Sequence, residues 1–217
     1  MTVALVLFDL DGTLVDSLQD LTDAVNHMLT GFGRQQLAPA QVRQLVGKGA
    51  RNLVQRALAT DSAEDINQGL ATFTKYNANH IVDKSRLYPG ARELLQQLAT
   101  AGIPMAVISN KNEALSRLIL KALEVDGFFA SIAGGDTFPE MKPSPLPLLR
   151  VMDELGGSPA DTVMVGDSIN DIQAGKRAGI TTIGCCWGYG DLREFAGADF
   201  RAASCNELAG ILGGLFL

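Results

Sequence analysis

Val3-Ala4-Leu5-Val6-Leu7-Phe8-Asp9-Leu10-Asp11-Gly12-Thr13 begins with an apolar run and ends in two carboxylates two positions apart. An uninterrupted apolar run suits a strand buried on both faces, as in a parallel sheet covered by helices. In extended backbone the side chains of residues i and i+2 lie on one side, so Asp9 and Asp11 face the same way. Like charges held that close repel, and a proton or a cation relieves them. Gly12 allows the chain to leave the strand tightly. Asp and Gly are also ordinary turn formers, and a polar turn capping a core strand would use the same residues. The rest of the chain must therefore decide between a turn and a site.

Downstream, apolar residues first recur at helical spacing: Leu18, Leu21, Val25, Met28 and Leu29, then Val42, Leu45 and Val46. Leu53, Val54, Ala57 and Leu58 follow, and then Ile66, Leu70, Phe73 and Tyr76. No period-two alternation occurs in this block, so it is expected to form about four helices inserted after the first strand. From about residue 83 the pattern alternates. Helices are expected near 91–99, 113–123, 146–155 and 169–178, and strands near 105–109, 131–133, 162–165 and 181–184. Strands alternating with helices imply βαβ units and a parallel sheet. The expected fold is thus α/β, a Rossmann-like parallel sheet flanked by helices, with an inserted all-helical cap. Residues 1–15 and 83–217 would form the core and residues 16–82 the cap.

Composition limits the function. At 217 residues the chain can bury a sizeable core, and its net charge of −6 argues against nucleic acid, which calls for a basic face. No apolar run is long enough to cross a bilayer, and Asp9 and Asp11 interrupt the one stretch that could resemble a leader. Cys185, Cys186 and Cys205 are odd in number, which fits a reducing cytoplasm better than a disulfide framework. With His27 and His80 as the two histidines, a Cys/His zinc site is not expected. The expected state is a monomer or a homodimer.

In a parallel sheet, ligands bind beyond the carboxyl ends of the strands. After the strand near 105 comes Ser109-Asn110, whose hydroxyl could hold a phosphate oxygen at a helix N-terminus. The ordinary alternative is a helix cap in which Asn110 and Glu113 pair. After the strand near 131 comes Lys142, in Met141-Lys142-Pro143-Ser144-Pro145, either a phosphate-binding ammonium or a solvated loop lysine. After the strand near 162 comes Gly166-Asp167-Ser168-Ile169-Asn170-Asp171, a second acidic cluster. Asp167 and Asp171 are four apart, so a helical turn would bring them to one side. One such cluster suits a helix N-terminus. Two on neighbouring strand ends call for a cation, and carboxylates plus substrate phosphate are the ligands magnesium takes.

Together, Asp9-Leu10-Asp11-Gly12-Thr13, Ser109, Lys142 and Gly166-Asp167-Ser168-Ile169-Asn170-Asp171 resemble the four motifs of the haloacid dehalogenase-like phosphohydrolases. The resemblance spans essentially the whole chain, and the insert after the first motif is similar to a helical cap. Residues 14–21 and 46–54 look more narrowly like those of bacterial phosphoglycolate phosphatases. The resemblance implies that Asp9 is a nucleophile forming an aspartyl-phosphate and that Asp11 is the proton donor and acceptor. It implies Mg2+ held by Asp9, the backbone carbonyl of Asp11, and Asp167. It further implies phosphoryl binding by Gly12, Ser109, Asn110 and Lys142, with Thr13 and Asp171 in support and Asp171 positioning Lys142. The partner implied is a small phosphorylated metabolite.

Substrate choice would then fall to the cap, where the Gly47-Lys48-Gly49-Ala50-Arg51 stretch offers Lys48 and Arg51 to an acidic substrate such as 2-phosphoglycolate. Solvated charges in a helix–helix loop are the plain alternative. Hinges are expected near 15–17 and 82–86. Phosphatases of sugar phosphates, pyrophosphatases and hexose-phosphate mutases of the same superfamily share the core motifs. A dehalogenase would not call for the second carboxylate or the metal. A silent binding module would leave crowded carboxylates without use. Trp187, in Trp187-Gly188-Tyr189-Gly190, follows the last expected strand with no role assigned, and neither Cys185 nor Cys186 has one.

Overall fold

A computed structural model describes residues 4–216, with the side chain of Phe216 left aside, so Val3 of the opening run lies outside the described residues. β1 (Leu5–Phe8) is buried at every position, as its unbroken apolar sequence requires. It lies at the centre of a six-stranded parallel sheet with β4 (Met105–Ile108), β5 (Ser131–Ala133), β6 (Thr162–Gly166), β7 (Thr181–Cys185) and β8 (Phe200–Ala202). The order is β5-β4-β1-β6-β7-β8. β1 pairs with β4 on one side and β6 on the other, Phe8 standing opposite Val107 and Val165. The sheet thus reverses direction of build at β1, and the crevice at its carboxyl end is where such folds place ligands.

Alternation along β1 divides the core. Val6 and Phe8 belong to one apolar cluster, with Leu94, Leu95 and Leu98 of α5 (Ala91–Thr100), Leu115, Ile119 and Leu120 of α6 (Glu113–Ala122), and Leu208 and Leu212 of α9 (Cys205–Phe216). Leu5 and Leu7 belong to the opposite one, with Leu148, Val151 and Met152 of α7 (Leu146–Leu155) and Ala174 and Ala178 of α8 (Ile169–Ala178). Two helical layers sandwich the sheet. The expected α/β architecture is the observed one.

Between β2 (Val15–Asp16) and β3 (Arg86–Leu87) the chain makes α1 (Leu18–Gly31), α2 (Pro39–Arg43), α3 (Gly49–Leu58) and α4 (Ala63–Asn79). These pack on a separate cluster that includes Leu21, Val25, Met28, Val42, Leu53, Val54 and Phe73. Pro39 starts α2 at a position where its missing N–H is not needed. Ser62 caps α4, its side chain accepting from the backbone N–H of Asp65. β2 and β3 pair antiparallel, so both passages between the helical unit and the sheet run side by side. The buried Asp20 of α1 ties them, accepting from the backbone N–H groups of Lys84 and Ser85 and from the Ser85 hydroxyl.

The cap stretch 47–51 is not all loop: α3 begins at Gly49, because Leu53, Val54 and Leu58 pull one face into the helical core, and Arg51 is helical. The cap of α6 is Asn112, whose side chain accepts from the backbone N–H of Leu115, not Asn110 paired with Glu113. Glu113 instead accepts from Thr137 and Arg117.

Candidate active site

Asp9 follows β1 directly, its backbone N–H donating to Val165 on β6. Its carboxylate meets the Lys142 ammonium at 2.7 Å, and Lys142 reaches Asp171 at the same distance. The Lys142 ammonium also donates to the Ile108 carbonyl at the end of β4. Lys142 is therefore no solvated loop lysine; it is 3% exposed and joins the ends of three strand-end segments. Burial alone would lower the affinity of that ammonium for its proton, yet Asp171 and Asp9 hold its pKa above the ordinary value. Burial pushes the Asp9 carboxyl up to about 6, against the pull of Lys142 and with Asp171 adding to the rise.

Asp167, at the end of β6, accepts from the Thr13 hydroxyl at 3.2 Å and from the Tyr189 backbone N–H at 2.6 Å. Two glycines admit this carboxylate. A Cβ on Gly12, which sits at φ +90°, or on Gly188 would overlap the Asp167 side chain. Asp171 lies in the first turn of α8 and accepts from the backbone N–H and hydroxyl of Ser168. Asp9, Asp167 and Asp171 are all buried and can offer oxygens lying within 4.8 Å of one another.

Asp9 and Asp171 therefore share one buried cation, Lys142, whereas the donors to Asp167 are the neutral Thr13 hydroxyl and Tyr189 N–H. Burial, and then the charges of Asp9 and Asp171, push the Asp167 carboxyl well above its usual range. That uncompensated charge, with hard oxygen donors and no soft ligand, fits Mg2+. The Asp11 side chain is not part of the cluster. One of its oxygens accepts from the Ser17 hydroxyl at 2.6 Å, and the carboxylate pairs with Lys111 at 3.1 Å.

Ser109 directly follows β4, buried, with its backbone N–H donating to the Ala133 carbonyl and its hydroxyl accepting from the Lys111 backbone N–H. Asn110 does different work from that expected. Its amide donates to the Lys142 carbonyl at 2.8 Å and to the Gly47 carbonyl in the cap at 2.9 Å. Asn170 of α8 donates to the same Gly47 carbonyl at 3.0 Å. The cap loop is thus docked on the sheet side by two amides, over a cavity of about 730 Å³.

Asp9, Asp11, Ser109, Asn110, Lys142, Asp167, Asp171 and Lys48 all line this cavity. Arg51 does not; it turns towards α4 and donates to Asn67. Arg43, Arg56 and Lys111 line the cavity where the sequence reading assigned nothing. Lys111 could have been suspected from its place two residues beyond Ser109. Arg43 and Arg56 carry no sequence signal apart from a helical position.

The unassigned segment after β7 also finds its place. The Trp187 indole donates to the Thr13 carbonyl, and Tyr189 joins Asp167 to the cap entrance: its hydroxyl accepts from the Ser17 backbone N–H at 2.7 Å and donates to Asp16 at 3.1 Å. The Arg43 guanidinium donates to the carbonyls of Gly188 and Tyr189.

Known proteins resemble this chain in sequence and in fold. A protein named phosphoglycolate phosphatase from Neisseria meningitidis serogroup A is 44% identical over 195 residues, covering 88% of this chain and 83% of its own. One of the same name from Chromobacterium violaceum is 39% identical over 208 residues, 94% of this chain and 93% of its own. The crystal structure of a predicted phosphoglycolate phosphatase from Haemophilus somnus superposes with a TM-score of 0.93 at 31% identity, covering 97% of this chain and 98% of that one. The family model for haloacid dehalogenase-like hydrolases matches residues 6–185, from within β1 to the end of β7, and so takes in the inserted helices, Asp9, Asp11, Ser109, Lys142, Asp167 and Asp171. The chain belongs to the haloacid dehalogenase-like hydrolase family.

Proposed function

We propose that this hydrolase is a magnesium-dependent phosphatase that cleaves 2-phosphoglycolate to glycolate and phosphate through an aspartyl-phosphate on Asp9. The observation that carries the reading is the Asp9 carboxylate facing the cavity, with Lys142 on one oxygen and Asp11 close by in sequence with its side chain outside the acidic cluster. The shared name of the relatives supplies the choice of ester.

In this reading the free oxygen of Asp9 attacks phosphorus and the bond to the leaving oxygen breaks. Asp11 gives that oxygen a proton, and glycolate departs. Asp11 then takes a proton from water, whose oxygen attacks phosphorus and returns Asp9 to a carboxylate. The Ser109 hydroxyl and the Lys142 ammonium would hold the phosphoryl oxygens, while Asp171 keeps Lys142 in place. Asn110 would contribute through its backbone N–H, its side chain being engaged, and Gly12 through the close approach its missing Cβ allows. Asp9, Asp167 and the Asp11 backbone carbonyl would hold magnesium, which draws charge from the transferring group. Thr13 would support Asp167.

The docked cap would exclude water while the phosphoryl group transfers, with residues 16–82 moving as a unit about hinges at 15–17 and 82–86. We place the work in the cytoplasm on the strength of three free cysteines. No helix among the described residues is long and apolar enough to cross a membrane.

The test is release of inorganic phosphate from 2-phosphoglycolate beside sugar phosphates and pyrophosphate, with magnesium and with chelator. Metal-dependent preference for 2-phosphoglycolate is expected, and Asp9→Asn should lower turnover by about three orders of magnitude or more. Undiminished release by that variant would remove Asp9 from its role. A preference for another ester would keep the mechanism and replace the substrate.

A further inference from the structure

We propose that Lys111 is the substrate-reading residue of the core: it holds Asp11 in reserve and moves to the carboxylate of an acidic leaving group. This rests on the phosphatase reading above. Lys111 lies between β4 and α6, and its side chain is 7% exposed, against 11% for Asp11. Its ammonium stands 3.1 Å from one Asp11 oxygen and 3.4 Å from the other, which also receives the Ser17 hydroxyl. An ammonium has donors and no acceptor. Both Asp11 oxygens therefore face donors, and neither can aim a proton at a leaving oxygen while Lys111 stays.

What could draw Lys111 away is a second anion within reach. The phosphoryl oxygens already have Lys142 and Ser109. Of the other cations on the cavity wall, Arg43 is occupied by two backbone carbonyls, and Lys48 and Arg56 belong to the cap. A group that protonates the leaving oxygen must touch it. In 2-phosphoglycolate a single methylene separates that oxygen from the carboxylate. A cation touching Asp11 is thus beside the carboxylate of such an ester, and transfer of Lys111 to it frees Asp11 as the substrate is seated. Esters without that anion would leave Lys111 on Asp11 and lose turnover as well as affinity.

The experiment compares wild type, Lys111→Met and Lys111→Arg on 2-phosphoglycolate, on 2-hydroxyethyl phosphate, in which a neutral hydroxymethyl group replaces the carboxylate, and on p-nitrophenyl phosphate, all with magnesium. Wild type should favour the carboxylate ester in kcat/KM by roughly ten- to hundredfold, the range for one charged hydrogen bond. Lys111→Met should bring the ratio to within about threefold of unity, with Lys111→Arg keeping most of the preference. Equal losses by Lys111→Met on both esters would reduce Lys111 to a support for Asp11 and overturn the proposal. An undiminished preference in that variant would overturn it too.

Wild-type release from p-nitrophenyl phosphate without any preference for the carboxylate ester would also overturn it, while leaving the phosphatase reading in place. Release from no ester would remove that reading and the inference with it. Should Lys111→Met be inactive throughout, calorimetric binding of 2-phosphoglycolate to magnesium-loaded Asp9→Asn, with and without Lys111→Met, decides. A loss of tenfold or more is expected, and unchanged affinity would overturn the role.

Discussion

Asp9 shows how far burial sets the chemistry of one residue. Its carboxyl is pushed to about 6, first by burial and then by Asp171, although Lys142 works against the rise. In the unfolded chain the same group titrates near 3.8. Between those two values the native protein binds the proton that the unfolded chain has released, so stability falls as pH rises through this window. Without metal, unfolding free energy should drop by about 2 kcal/mol from pH 4 to pH 6, and the buried Asp167 adds to it with the same sign. Urea denaturation in chelator measures it. With magnesium the slope should flatten or reverse, because ionised ligands are what the metal binds. A metal-free protein equally stable at both pH values would mean that Asp9 is ionised throughout.

At this scale the strand-end residues were legible because an apolar run fixes where each strand stops. The tasks of Asn110, Lys111 and Arg51 were not, since a side chain's direction depends on what packs against its element. Asn110 turned to Gly47, Arg51 to Asn67, and Lys111 to Asp11.

Among elements, the loop that precedes α3 and the N-terminus of α8 are joined by the Asn170 amide on the Gly47 carbonyl. Asn110 shares that acceptor from the β4 side. Asn170→Ala removes one of two donors holding the cap loop down while leaving Asp167 and Asp171 in place. A hydrogen bond of this kind contributes about 0.5–1.5 kcal/mol net, so the closed population should weaken by roughly two- to tenfold. Hydrogen exchange at residues 46–50 should quicken, and kcat/KM for the preferred ester should drop by a similar factor. Exchange and turnover both at wild-type values would show that the loop is held by packing instead.

The elements themselves were legible to different degrees. α1 and α3 through α8 announce themselves by apolar spacing, whereas α2, β8 and α9 do not: of Val42, Leu45 and Val46, Val42 alone lies in α2. β8 is three residues at the sheet edge with only Ala202 buried, and α9 carries Gly210, Gly213 and Gly214, which suppress a helical signature. α9 is held to the core through Leu208 and Leu212, a tertiary effect that local pattern cannot display. The β2–β3 pairing escaped for the same reason: two residues pair with two others some seventy positions away.

For the molecule as a whole, the acidic cluster, the segment after β7 and the cap entrance form one chain of contacts. Asp167 accepts from the Tyr189 backbone, and the Tyr189 hydroxyl accepts from the Ser17 backbone at the start of the cap. A cation that holds Asp167 should therefore stiffen residues far from it in sequence. Binding stabilises by RT ln(1 + [L]/Kd), about 2.7 kcal/mol at a hundredfold excess over Kd. For a domain of this size that corresponds to a rise in Tm of about 5–10 °C. Magnesium titrated into the chelator-treated protein should give this shift, growing with concentration, and should slow exchange of the Ser17 amide as well. Asp167→Asn should abolish both effects, and it should raise the stability of the metal-free protein because one crowded carboxylate is gone. A Tm indifferent to millimolar magnesium in wild type would mean that Lys142 alone compensates the cluster. A shift in Tm without slower exchange at Ser17 would keep the metal but detach it from the cap, leaving Asp20 and the two Gly47 contacts as the ties that govern closure.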